Sequence, residues 1–242
     1  VQQARAGARP LWLAAGAVVL AFTVLACTVT VLSWLGRQSE TQHQEYRRPA
    51  RLQIDVTGTE VVLQAYESGA VEVERHLTWA SGKPAPRERW EGDTLRLSID
   101  CPPALNLPGC SAVYRVWLPA DLPVTVRTVS GAVRLANLRG PVSVETDSGD
   151  VRGEGLGGGQ VSARAGSGDV RLGFSGVPSR VAARTSSGDI ALTLPRHAYN
   201  VRADSVEGME TVAVGQDPSS PATIEARTDT ADITIGDSTY AP

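Results

Sequence analysis

The sequence predicts an all-β protein, a β-solenoid of stacked coils of about 20 residues with an N-terminal β cap, preceded by one transmembrane helix. Three observations predict it. A short turn recurs as Ser148-Gly149-Asp150, Ser167-Gly168-Asp169 and Ser187-Gly188-Asp189, with a weaker copy at Ser130-Gly131-Ala132. Each turn follows five residues that alternate apolar and polar, and residues 11–35 carry no charged side chain. A fixed period of this length marks a repeat architecture, in which one coil cannot bury its apolar face without neighbours.

The elements follow in chain order. Residues 1–10 form a short basic tail, with Arg5 and Arg9, expected on the cytoplasmic side. Residues 11–35 are long enough to cross a hydrocarbon layer of ~30 Å at 1.5 Å per residue, and Trp12 and Trp34 would stand ~33 Å apart, near both interfaces. A lipobox-like stretch, Val24-Leu25-Ala26-Cys27, offers the alternative of a lipid anchor on Cys27, but Thr28 to Leu32 stay apolar where a mature lipoprotein turns polar. Either way the bulk of the chain is expected outside the cytoplasm. Residues 36–50 are polar without periodicity and are expected to be a stalk.

Residues 51–122 are expected as an N-terminal β region. Arg51 to Val56, Val61 to Tyr66, Val71 to Leu77, Thr94 to Ile99 and Val113 to Leu118 alternate with period two, with turn residues between. Trp79, Trp90 and Trp117 are expected as core or cap aromatics, with a sugar-stacking platform as the alternative. Cys101 and Cys110 bracket a short Pro-rich loop. A disulfide there would stabilise by ~2.5–3 kcal/mol and persist only in an oxidising compartment; two free buried thiols are the alternative.

Residues 123–242 are expected as the repeat solenoid. Val124 to Thr128, Val142 to Thr146, Val161 to Ala165 and Val181 to Thr185 each read as a strand with one buried face, followed by the Ser-Gly-Asp corner and a second strand. Gly is expected to supply a backbone conformation that side chains resist, and Ser and Asp to bond within their own turn. Stacked in register, Val126, Val144, Ala163 and Ala183 form one inward column, and Val133, Val151, Val170 and Ile190 another. Two degenerate coils, Val201 to Gly208 and Ile224 to Ile233, follow as terminal repeats.

On the wet face Asp150 and Arg152, and Asp169 and Arg171, are spaced to form an ion-pair ladder. The column Asp150/Asp169/Asp189 could instead ligate calcium, but the nonapeptide of calcium-loaded solenoids is missing, so no metal is expected. From residue 51 onward 18 basic and 24 acidic side chains leave the domain acidic, without a basic stripe for nucleic acid. His43, His76 and His197 are scattered, and neither a nucleophile elbow nor a phosphate loop occurs. A repeated Asp also argues for structure over a unique acid or base. No catalytic residue and no cofactor are expected.

The strand Gly92 to Leu95, then Cys101 and Cys110, then Tyr114-Arg115-Val116-Trp117-Leu118-Pro119-Ala120, then serial Ser-Gly-Asp turns, resemble the bacterial putative-adhesin family of β-strand-repeat envelope proteins, a domain of unknown function. The resemblance implies a solenoid on an envelope protein and brings no catalytic residues. Expected partners are the membrane, crossed once, and an envelope protein, a peptide or a cell-wall polymer, with no nucleic acid. Two alternatives differ in class. One is a regulatory partner of a membrane sensor, with Ala17 and Ala21 as a small-residue helix contact; the other is a glycan-active β-helix enzyme.

Overall fold

In the computed structural model, the described residues are 38–67, 69–79, 82–100 and 110–237, with Leu20, Thr23, Val24 and Thr28. Apart from those four residues, the expected membrane span lies outside the described residues, as does Cys101. Among the described residues no helix is long and apolar enough to cross a membrane.

Among the described residues twenty strands follow in order. The first seven are β1 (Gln38–Arg47), β2 (Arg51–Val56), β3 (Thr59–Ala65), β4 (Ala70–Trp79), β5 (Ala85–Glu91), β6 (Thr94–Asp100) and β7 (Cys110–Leu118). The repeats supply β8 (Val124–Thr128), β9 (Val133–Ala136), β10 (Val142–Thr146), β11 (Val151–Leu156), β12 (Gln160–Ala165), β13 (Val170–Phe174), β14 (Arg180–Arg184) and β15 (Ile190–Leu194). The chain ends in β16 (Ala198–Ser205), β17 (Glu210–Ala213), β18 (Gly215–Gln216), β19 (Thr223–Thr228) and β20 (Ile233–Asp237).

They form two ten-stranded sheets, ordered β1-β4-β7-β3-β9-β11-β13-β15-β20-β17 (sheet A) and β18-β16-β19-β14-β12-β10-β8-β2-β6-β5 (sheet B). Each coil gives one parallel strand to each sheet, and the inward side chains of both make a single core. The expected columns are present. Val126, Val144, Ala163 and Ala183 are register neighbours in sheet B, as are Val133, Val151, Val170 and Ile190 in sheet A, all at most 1% exposed. At ~25 cal/mol per Å² of buried apolar area, these columns supply the main force holding the coils together.

The coils do not stack in chain order at either end. The last coil, β19–β20, lies between β14–β15 and β16–β17, so the coil expected to be next to last is the outermost. The reason is apolar content. Ile224, Ala226, Ile233 and Ile235 need a wall on both sides and are at most 1% exposed, whereas β16–β17 has only half-buried aliphatics and leaves Val206 and Met209 65% and 72% exposed. At the other end β6–β7 lies outside β2–β3, which packs directly on β8–β9.

Two further expectations are corrected at the N-terminal end. Residues 38–47 are strand β1, paired antiparallel with β4 over ten register positions, and so are not a stalk. Its polar sequence suits an edge strand that is wet on both faces apart from Tyr46. β5, which alternation does not reveal, closes sheet B antiparallel to β6. Between these edges sits a polar plug. Arg75 of β4, 4% exposed, meets Glu88 of β5 at 2.6 Å, donates to the Tyr46 hydroxyl at 2.6 Å and lies 5.7 Å from the centre of the Tyr114 ring. Burial raises the phenol pKa of both tyrosines, that of Tyr114 to about 12.

Candidate functional site

The repeated corners line up along one side of the stack, with Gly149, Gly168 and Gly188 buried and Ser148, Ser167 and Ser187 exposed. Gly149, Gly168 and Gly188 lie outside the left-handed region, which of the corner glycines Gly131 alone occupies. Their requirement is space. A Cβ on Gly149 would stand 2.0 Å from the Gly131 carbonyl oxygen, and one on Gly168 or Gly188 would stand 2.1 Å from the carbonyl oxygen of the preceding corner glycine. The expectation of a special backbone conformation is therefore replaced by close approach between rungs.

The aspartates also bond between rungs, where bonds inside their own turn were expected. Oδ1 of Asp150 accepts the Asp169 N–H at 3.2 Å, and Asp169 accepts from Asp189 at 3.0 Å. Asp189 accepts from Asp232 at 3.1 Å, and Asp232 from Met209 at 2.8 Å. The second oxygens of Asp150 and Asp169 meet Arg152 and Arg171, each at 2.8 Å, as the expected ion-pair ladder. Among the described residues no cluster of three or more His, Cys, Asp or Glu could hold a metal ion. Ser148 donates to the Val129 carbonyl of the preceding rung. Sequence reasoning missed the threonine hooks. Thr185 Oγ1 donates to the Gly168 carbonyl and accepts the Gly188 N–H, and Thr228 Oγ1 donates to the Gly188 carbonyl. Their signal is a hydroxyl at the fifth strand position, which the alternation places inward.

Away from the corners, an open trough lies on the outer face of sheet B. There the second position of each five-residue strand repeat aligns Thr125, Ser143, Ser162 and Ala182 on adjacent strands. Because these side chains are small, they form the floor of an open trough of about 500 Å³. Arg164 and Arg184, register neighbours on β12 and β14, stand on one wall, and Arg51 and Arg180 on the other; Glu225 closes one end. Glu225 pairs with Arg184 and with Arg180, and the Arg184 hydrogen bond is the main cause of its lowered pKa. Arg51 and Arg164 are exposed and make no ion pair with any described residue.

The outer face of sheet A differs. Arg134, Arg152 and Arg171 form a column there, but each is paired, with Glu60, Asp150 and Asp169. Of the three tryptophans expected as core or cap aromatics, Trp79 packs against the core from its edge, and Trp90 and Trp117 lie outside it. Trp79 is partly buried under Lys83, Trp90 is 36% exposed beneath Arg47, and Trp117 is half-exposed. They form no common platform. Cys110 begins β7, opposite Trp79; the expected disulfide falls on Cys101, outside the described residues.

Residues 122–237 match the family Toastrack DUF4097. Among solved structures, a putative cell adhesion protein from Clostridium sporogenes is similar over 83% of this chain and 100% of its own, at 13% identity and a TM-score of 0.52, which shows a shared fold. A putative adhesin from Bacteroides fragilis aligns over 83% of this chain and 97% of its own, at 14% identity and a TM-score of 0.47. No curated protein matches the chain.

Proposed function

Residues 122–237 are a Toastrack DUF4097 domain, and from that premise we propose that the chain is a non-catalytic binding module of the bacterial cell envelope. It is tethered by a single span at residues 11–35, with the β stack outside the cytoplasm. The observation that supports this most is the trough on sheet B. It is open, it runs over four successive rungs, and its floor is one repeated outward position, so it offers a small side chain at every rung and a hydroxyl at three of the four. A surface of that kind suits an extended ligand better than a small substrate, which is held in an enclosed pocket. The adhesion named for the fold neighbour from Clostridium sporogenes is in keeping with a surface role.

The test is co-sedimentation of the full chain, in non-ionic detergent, with washed envelopes of the cells that make it. Retention that falls when the trough arginines are replaced is the expected result. Retention no greater than that of a variant with a scrambled surface contradicts the proposal. Placement outside the cytoplasm is checked by counting thiols: the denatured, unreduced chain should show one reactive thiol, Cys27, and the reduced chain all three.

A further inference from the structure

The chain is acidic overall, with a formal net charge of −3, yet the trough gathers four guanidinium groups against one carboxylate. We propose that this trough binds an acidic glycan lying along the stack axis, a ligand class that rests on the envelope-binding function proposed above. The charge distribution comes first. Sheet A neutralises its arginine column with an acidic partner for each member, whereas sheet B leaves Arg51 and Arg164 without an ion pair and makes Arg180 and Arg184 share Glu225. Exposed guanidinium groups with no carboxylate partner are suited to bidentate pairing with anionic oxygens from outside.

The floor selects further. The hydroxyls of Thr125, Ser143 and Ser162 can each donate and accept, as sugar hydroxyls do, whereas a polymer of bare phosphates offers only acceptors. Spacing agrees with this. Rungs repeat every ~4.8 Å, close to the advance of one pyranose unit along an extended glycan, so successive sugars would meet successive hydroxyls. Arg164 and Arg184, one rung apart, would then face the carboxylates of neighbouring sugars, with Arg180 reaching the chain from the opposite wall.

The experiment titrates the full chain, in non-ionic detergent, with polygalacturonate, and in parallel with polyphosphate and with uncharged dextran. Polygalacturonate should bind, with an affinity that falls steeply as salt is added, and Arg164→Ala with Arg180→Ala should weaken it about tenfold or more. Arg152→Ala with Arg171→Ala removes the same charge from sheet A and should leave binding within about twofold; unchanged melting temperatures show that both double variants are folded. Dextran binding as tightly as polygalacturonate, an equal loss from the sheet A variant, or binding of polyphosphate alone overturns the proposal. If envelopes still retain the chain while polygalacturonate does not bind, the ligand class is wrong and envelope binding stands. Loss of both removes the function as well.

Discussion

Asp169 accepts the backbone N–H of Asp189 through Oδ1 at 3.0 Å, one rung away, while its other oxygen holds Arg171 of its own rung at 2.8 Å. One side chain thus ties together neighbouring coils and the two ends of a corner. Asp169→Ala leaves that N–H without its acceptor and should cost about 1–2 kcal/mol. Asp169→Asn keeps an acceptor oxygen and should cost less than half as much. Urea unfolding midpoints of the two variants check this, and equal losses would mean that the ion pair alone matters.

Gly188→Ala places a methyl carbon 2.1 Å from the Gly168 carbonyl oxygen, a backbone atom that cannot move without parting two rungs. The expected loss is more than about 3 kcal/mol, or failure to fold. Gly69→Ala meets nothing within 4 Å and should change stability by less than about 0.5 kcal/mol. Thermal melting of both proteins decides.

The rungs were legible in the sequence because the period and the alternation together state which side chains face inward. Their order was not. Every rung shares one register, so alternation cannot say whether Ala182 lies beside Arg202 or beside Glu225; only the greater apolar content of β19–β20 hints that it needs walls on both sides. β5 was hidden because Trp90 is the one large apolar side chain among Arg87, Glu88, Arg89 and Glu91, and β1 because an edge strand has little face to bury. The floor of the trough could be read as outward from Thr125, Ser143 and Ser162. That Glu145, the register partner of Arg164, pairs with Arg127 on its other side and leaves Arg164 without an ion pair, while Arg171 holds Asp169, depends on three-dimensional adjacency, which no repeat spells out.

Arg75→Met breaks the plug between β4 and β5. Removing one member of a buried pair typically costs ~3–5 kcal/mol, and the partial exposure of Glu88 puts this case at the lower end, about 3 kcal/mol. Arg75→Met combined with Glu88→Gln should lose less than the two single changes added together. A double-mutant cycle by urea unfolding measures the coupling, and strict additivity would show that the two residues act separately.

Alkaline pH should loosen the same end. The Tyr114 phenol is raised from 10.0 to about 12, first by burial, with Arg75 opposing. The unfolded chain therefore releases its proton earlier, and the stability this group contributes is whole below pH 10 and drains away as pH rises towards 12. Tyr114→Phe should show a shallower fall in melting temperature over that window. An identical fall in both proteins would exclude Tyr114 as a source.

The order of the rungs underlies both the trough and its closure by Glu225, and cross-linking tests it directly. Cysteines at Ala182 and Glu225, register partners on adjacent strands, should be joined by a short thiol-specific cross-linker in high yield, whereas Ala182→Cys with Arg202→Cys, separated by β19, should give little product. Peptide mapping identifies the joined segments. Efficient joining of positions 182 and 202, with none between 182 and 225, would place the coils in chain order and contradict the account.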